Sequence, residues 1–110
     1  MNFYIGNSTD EIDEQDVNVE FSDELIDFIY KMSGRVSFDM SKLYKINPYD
    51  DAEISKNDLP QIIEICKFIL DSALLQDYEK PDEGRQMLQD LLEIIKKAIT
   101  RELGLVSIGD

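Results

Sequence analysis

Two stretches of apolar residues at helical spacing do most to limit what this chain can fold into. Leu59, Ile62, Ile63, Cys66, Ile69, Leu70, Ala73 and Leu74 recur in steps that favour three and four, and so do Leu88, Leu91, Leu92, Ile95, Ala98 and Ile99. That is the period of one face of an α-helix. Helices are expected over about 57–76 and 81–103. Asn57 or Asp58 should cap the first, because Pro60 is tolerated only in a first turn. Pro81 with Asp82 and Glu83 opens the second, and Gly104 caps its end. About four residues join the two, which predicts an antiparallel helical hairpin whose stripes face each other.

The rest of the chain must fold around that hairpin. Ser22 reads as an N-cap, with Asp23 and Glu24 in the first turn, where the helix dipole favours anions. Phe21, Leu25, Phe28, Ile29 and Met32 then mark one helical face. Ser33-Gly34 ends that helix, with Gly34 suited to a left-handed position. A short helix is expected over about Asp39–Ile46, with Met40, Leu43 and either Tyr44 or Ile46 buried, and Asn47-Pro48 stops it. Residues 47–58 read as a loop whose Ile54 plugs the core. Asn2–Ile5 and Leu105–Ile108 read as strands that can pair into a short β-ribbon lying on the helices, since such a ribbon is marginal alone. Val17, Val19 and Phe21 suggest one more short extended piece. The expected fold class is α+β, mainly α: a small helical bundle with a long hairpin and a ribbon from the chain termini. At 110 residues, 1–110 is one domain.

Charge narrows the partners. The net charge is −13, from 24 acids and 11 bases. Residues 1–30 carry nine acids and no Lys or Arg, so most of the imbalance sits in the first quarter of the chain. Such a field repels nucleic acid and anionic lipid and attracts basic surfaces. Neither direct nucleic-acid binding nor membrane binding is expected, and a monomer is favoured. One cysteine, Cys66, falls on an apolar stripe and reads as a buried structural thiol. The N-terminal MNFYIGNS has no basic n-region, and no segment approaches a membrane span. A cytoplasmic protein is expected.

Catalysis finds little to use. There is no histidine, no glycine-rich phosphate loop and no activating base for Cys66. An enzyme would have to rest on carboxylates, and these cluster in the connector 8–16 and on helix surfaces. The loop NPYDDAEISKND fails as a calcium loop, with Tyr49 at position three, Ala52 where glycine makes the sharp turn, and Pro48 at position two. No enzyme, metal or cofactor is therefore expected. Binding residues are expected in two places. Asp10, Glu11, Asp13, Glu14 and Asp16 form an acidic connector with too little apolar content to pack, suited to steering a basic partner. Tyr49, Asp50, Asp51 and Glu53 present an aromatic ring and three acids on a loop, and such tyrosines often anchor interfaces.

A strand FYIGN followed by an acidic stretch, a helix ending before NPYDDAEIS, a helical hairpin and a terminal SIGD together resemble the small immunity proteins of bacterial polymorphic-toxin and contact-dependent growth-inhibition systems. The likeness spans most of the chain, and NPYDDAEIS is its most specific piece. It implies one immunity-protein-like domain that binds the toxin C-terminal domain encoded beside it. Many such toxins are basic nucleases acting on tRNA, rRNA or DNA. The alternative expectation is an acidic regulatory or scaffold module that binds a basic host protein.

Overall fold

The computed structural model describes residues 1–13 and 15–109. Its order is β1 (Asn2–Ile5), β2 (Asn18–Glu20), α1 (Asp23–Met32), α2 (Ser41–Tyr44), β3 (Ala52–Ile54), α3 (Leu59–Asp71), α4 (Pro81–Thr100) and β4 (Leu105–Ile108), with short 3₁₀ turns between them. The fold is α+β: four helices and one four-stranded antiparallel sheet of order β2-β1-β4-β3. The strands from the chain ends are the central pair of that sheet rather than a separate ribbon. β3 comes from within residues 47–58, where the sequence reads as loop throughout.

Cross-strand partners share a face of the sheet. Phe3, Val19, Ser107 and Ala52 stand on one face; Tyr4, Asn18, Val106 and Glu53 stand on the other. Phe3 and Leu105 join a core built with Phe21, Leu25, Ile29, Leu43, Leu59, Ile65, Cys66, Leu91 and Ile95. α4 packs on β1 and β2 as well as on α3, so the helical layer closes the inner face. Among the described residues no helix is long and apolar enough to cross a membrane.

Helix ends depart from the sequence reading where polar side chains compete for the backbone. α3 stops at Asp71, not near Gln76. The Ser72 hydroxyl donates to the Ile69 carbonyl at 3.0 Å and accepts from the Leu74 amide at 3.3 Å, and Ser72 itself is extended. Leu74–Asp77 then forms a 3₁₀ turn that buries Leu75, so residues 72–80, not four residues, link α3 to α4. α1 runs into a 3₁₀ turn at Ser33–Arg35, and no described glycine, Gly34 included, has a positive φ. α2 is shorter than expected because Asp39 ends the preceding loop by accepting from the Ser41 amide at 2.9 Å. The Ser41 hydroxyl, and after it that amide bond, holds the Asp39 carboxyl below its ordinary value.

At the end of α4 the left-handed residue is Glu102, with φ 58°, rather than a glycine. Leu103 N–H reaches the Ala98 carbonyl at 2.9 Å and closes the helix. Gly104 answers a different need. A Cβ there would stand 2.2 Å from the Ile54 carbonyl oxygen, so β4 can begin beside β3 only without a side chain.

Candidate partner-binding surface

The acidic connector is not a loose arm. Ser8 accepts from the Asp10 amide at 3.2 Å and starts a 3₁₀ turn over Thr9–Glu11. Glu11 turns back to accept from the Asn7 amide at 3.1 Å. Thr9 N–H donates to the Glu53 carboxylate at 3.0 Å. Glu53 stands on the outer face of the sheet, in register with Val106 and Tyr4. The segment therefore crosses that outer face, and Ile12 lies against Gly6, 3.6 Å from where a Cβ would be. Tyr4 and Val106 are buried although they point away from the helices. Residues 8–12 are thus held against the sheet, where the sequence suggests too little apolar content to pack. One isoleucine and a few side-chain-to-backbone bonds are enough, because the sheet presents the complementary surface.

The loop before β3 is fixed in the same way. Asn47 accepts from the Tyr49 amide at 2.9 Å and donates to Asp50 at 3.0 Å, an Asx-type turn. Asp51 accepts from the Gly109 amide at 2.9 Å, which ties the loop to the end of β4. Tyr49 reaches across to α1, where its hydroxyl donates to the Asp23 carboxylate at 2.9 Å. Its ring remains 63% exposed.

The structure brings some of the expected residues together and separates others. Tyr49, Asp50, Asp51 and Glu53 follow one another along the β3 edge, and Asp10 and Glu11 join them through the Thr9–Glu53 bond. Asp13 and Asp16 are bonded to each other's backbone, by Asp13 N–H to the Asp16 carboxylate at 3.1 Å and Asp16 N–H to the Asp13 carbonyl at 2.8 Å. Asp16 lines a hollow with Ile5, Val17, Lys97 and Arg101 near the end of α4. Glu14 lies outside the described residues.

Sequence reasoning missed the neighbouring groove. Asp23, Ile26, Asp27 and Tyr30 recur on α1 at i, i+3, i+4 and i+7, a second stripe beside the core stripe. Tyr44 of α2 and Pro48 and Tyr49 of the loop supply the facing wall, and together they enclose about 400 Å³ open to solvent. Tyr30 packs edge-on against Tyr44, with ring centroids 5.3 Å apart. The stripe was visible in the sequence, but the arrival of Tyr44 and Tyr49 opposite it was not.

Cys66 lies on the other side of the chemistry. It is buried in α3, and desolvation pushes its thiol up to about 12, so it stays protonated and unreactive near neutrality. Among the described residues no three His, Cys, Asp or Glu side chains converge in a way that could hold a metal ion. What the surface offers is fixed carboxylates around exposed tyrosine rings, which suits hydrogen bonding and charge pairing with a cationic protein surface. No family model, curated protein or solved structure matches this chain.

Proposed function

We propose that this chain is an immunity protein of a bacterial polymorphic-toxin or contact-dependent growth-inhibition system. It binds the cognate toxin C-terminal domain, a basic nuclease acting on RNA or DNA, and neutralises it in the cytoplasm. One observation carries the reading: the acids along the β3 edge are held in place while remaining exposed. Asp50, Asp51, Glu53 and Glu11 each accept a hydrogen bond, and Tyr49 is anchored to Asp23. Carboxylates fixed in this way lose little side-chain entropy on binding, and binding cost falls accordingly. They would meet Lys and Arg of a nuclease groove that otherwise holds phosphates. The charge of the first 30 residues adds long-range attraction, which speeds encounter and fades with salt.

The test is co-expression with the C-terminal domain encoded immediately upstream of this chain, reading cell growth and co-purification. Rescue of growth with a stable complex is the expected result. A toxic domain that is neither bound nor neutralised overturns the reading. So does a harmless one, which would shift the weight to an acidic scaffold for a basic host protein. Within a complex, reversing Asp10, Asp13 and Asp16 together should slow association several-fold at low salt and much less at high salt.

A further inference from the structure

We infer that the groove between α1 and the 47–50 loop is a receptor for a single arginine side chain presented by a basic protein partner. The inference rests on the partner reading above but concerns a different patch from the β3-edge acids. The floor is Ile26, which is nearly buried, and the walls are the rings of Tyr30, Tyr44 and Tyr49. Asp23 and Asp27 stand one turn apart on the rim, with Glu24 beside them. About 400 Å³ of open space is enough for one long side chain and its attached backbone, and too little for a packed helix.

The lining selects the occupant. Tyrosine faces attract cations, and a planar guanidinium can stack on a ring while its N–H groups reach carboxylates at the edge. A neutral apolar side chain would leave the rim carboxylates facing it without gain. An anion would be repelled by three acids. Lysine would satisfy one carboxylate but could not stack. Lys31, next to Tyr30 on α1, pairs with Asp27 at 2.9 Å while both remain well exposed, so an incoming guanidinium can displace it at small cost. Tyr49 is already oriented by its bond to Asp23, so the ring wall exists before the ligand arrives.

The chain has no tryptophan, and three of its five tyrosines line the groove, so tyrosine signals report on it directly. The experiment titrates the full chain with a capped glycine–arginine–glycine tripeptide and follows backbone amides and tyrosine rings by NMR. The lysine and citrulline versions of the peptide serve as comparisons. Saturable shifts centred on Asp23, Asp27, Tyr30, Tyr44 and Tyr49 are expected, with arginine several-fold tighter than lysine and citrulline silent. Tyr30→Leu should weaken the arginine peptide roughly fivefold. Tyr49→Phe, which keeps the ring and loses the bond to Asp23, should weaken it less. Shifts spread over all acidic segments and equal for lysine, or an unchanged affinity in Tyr30→Leu, overturn the inference. The two readings fail separately. A toxin complex that tolerates both tyrosine variants removes the groove and leaves the immunity function. Arginine binding in the absence of any neutralised toxin does the reverse.

Discussion

Cys66 and Asp51 are both held in place, by opposite means. Cys66 has no solvent exposure and is held on α3 by packing within the hydrophobic core. Asp51 is exposed and is held by one hydrogen bond from the Gly109 amide. The contrast extends to their regions. The helical side buries Ile62, Ile65, Ile69, Leu88, Leu91 and Ile95, each contributing about 1.5–3 kcal/mol. The acid-bearing side is ordered by exposed bonds worth about 0.5–1.5 kcal/mol apiece. Stability therefore resides in one region and the candidate binding chemistry in the other, and mutations should separate the two.

The largest effect is expected from Ile95→Ala. Ile95 is fully buried where α4 meets the rest of the core, and truncation leaves a cavity. Denaturant unfolding should show a loss of about 2–5 kcal/mol. The remaining folded protein should still give the amide signals of residues 47–53 unchanged. Their disappearance would break the separation.

Alkali probes the same side through Cys66. Its thiol is raised by burial from an ordinary value of 9.0 to about 12, so the folded chain keeps a proton that the unfolded chain releases. The stabilising contribution is complete below pH 9.0 and is lost as pH rises towards about 12. Over that window each pH unit should cost about 1.4 kcal/mol. Tyrosines and lysines titrate there too, so the quantity to measure is the difference in slope from Cys66→Ala. The cavity in that variant shifts the curve by a constant amount and leaves the slope difference intact. Equal slopes would mean that water or a local opening reaches the thiol in the folded state.

Gly109→Ala attacks the other region. A Cβ at Gly109 would stand 2.4 Å from the Tyr49 carbonyl carbon and 2.5 Å from the Asp50 nitrogen, both backbone atoms that cannot rotate away. The 49–51 backbone must move, at a cost of about 1–3 kcal/mol. Amide shifts should concentrate in 47–51 and at Asp23, which bonds Tyr49, while α3 and α4 keep their signals. Shifts running into α3 would show that the acid-bearing loop and the core are one cooperative unit.

The same contrast explains what the sequence could reveal. α3 and α4 were legible because burial imposes a period, and the apolar stripes carry it for several turns. Even there the buried Ile65, Leu75 and Ile94 lay off the expected stripe, while Ile99 on it is 39% exposed. The central strand pair was legible as β-type from FYI and LVSI. Of its neighbours, β2 falls where Val17, Val19 and Phe21 suggest an extended piece, but β3 was not legible: it has only three residues, and its pairing depends on Gly104 letting β4 approach. Tyr49 and its acids were recognisable by composition. Their geometry was not, because it rests on single contacts between distant segments, Thr9 to Glu53 and Tyr49 to Asp23, that leave no period in the chain.

The smallest effect sits at the seam between the regions. Glu102 ends α4 in the left-handed conformation, which costs a residue with a Cβ about 1–2 kcal/mol and costs glycine almost nothing. It also shares a shallow pocket with Asn7, Glu53 and Lys56, next to the acid-bearing edge. Glu102→Gly removes backbone strain and a negative charge together, so Glu102→Gln is the necessary partner: it removes the charge and keeps the strain. Thermal or chemical unfolding should place the glycine variant about 0.5–1 kcal/mol above the glutamine variant. The association rate with a basic partner should be the same for both, because both lose the same charge. A glycine variant no more stable than glutamine would mean that the turn after α4 is held by the Gly104–Ile54 approach rather than by the helix cap. The two regions would then be joined at that point more firmly than the exposed hydrogen bonds suggest.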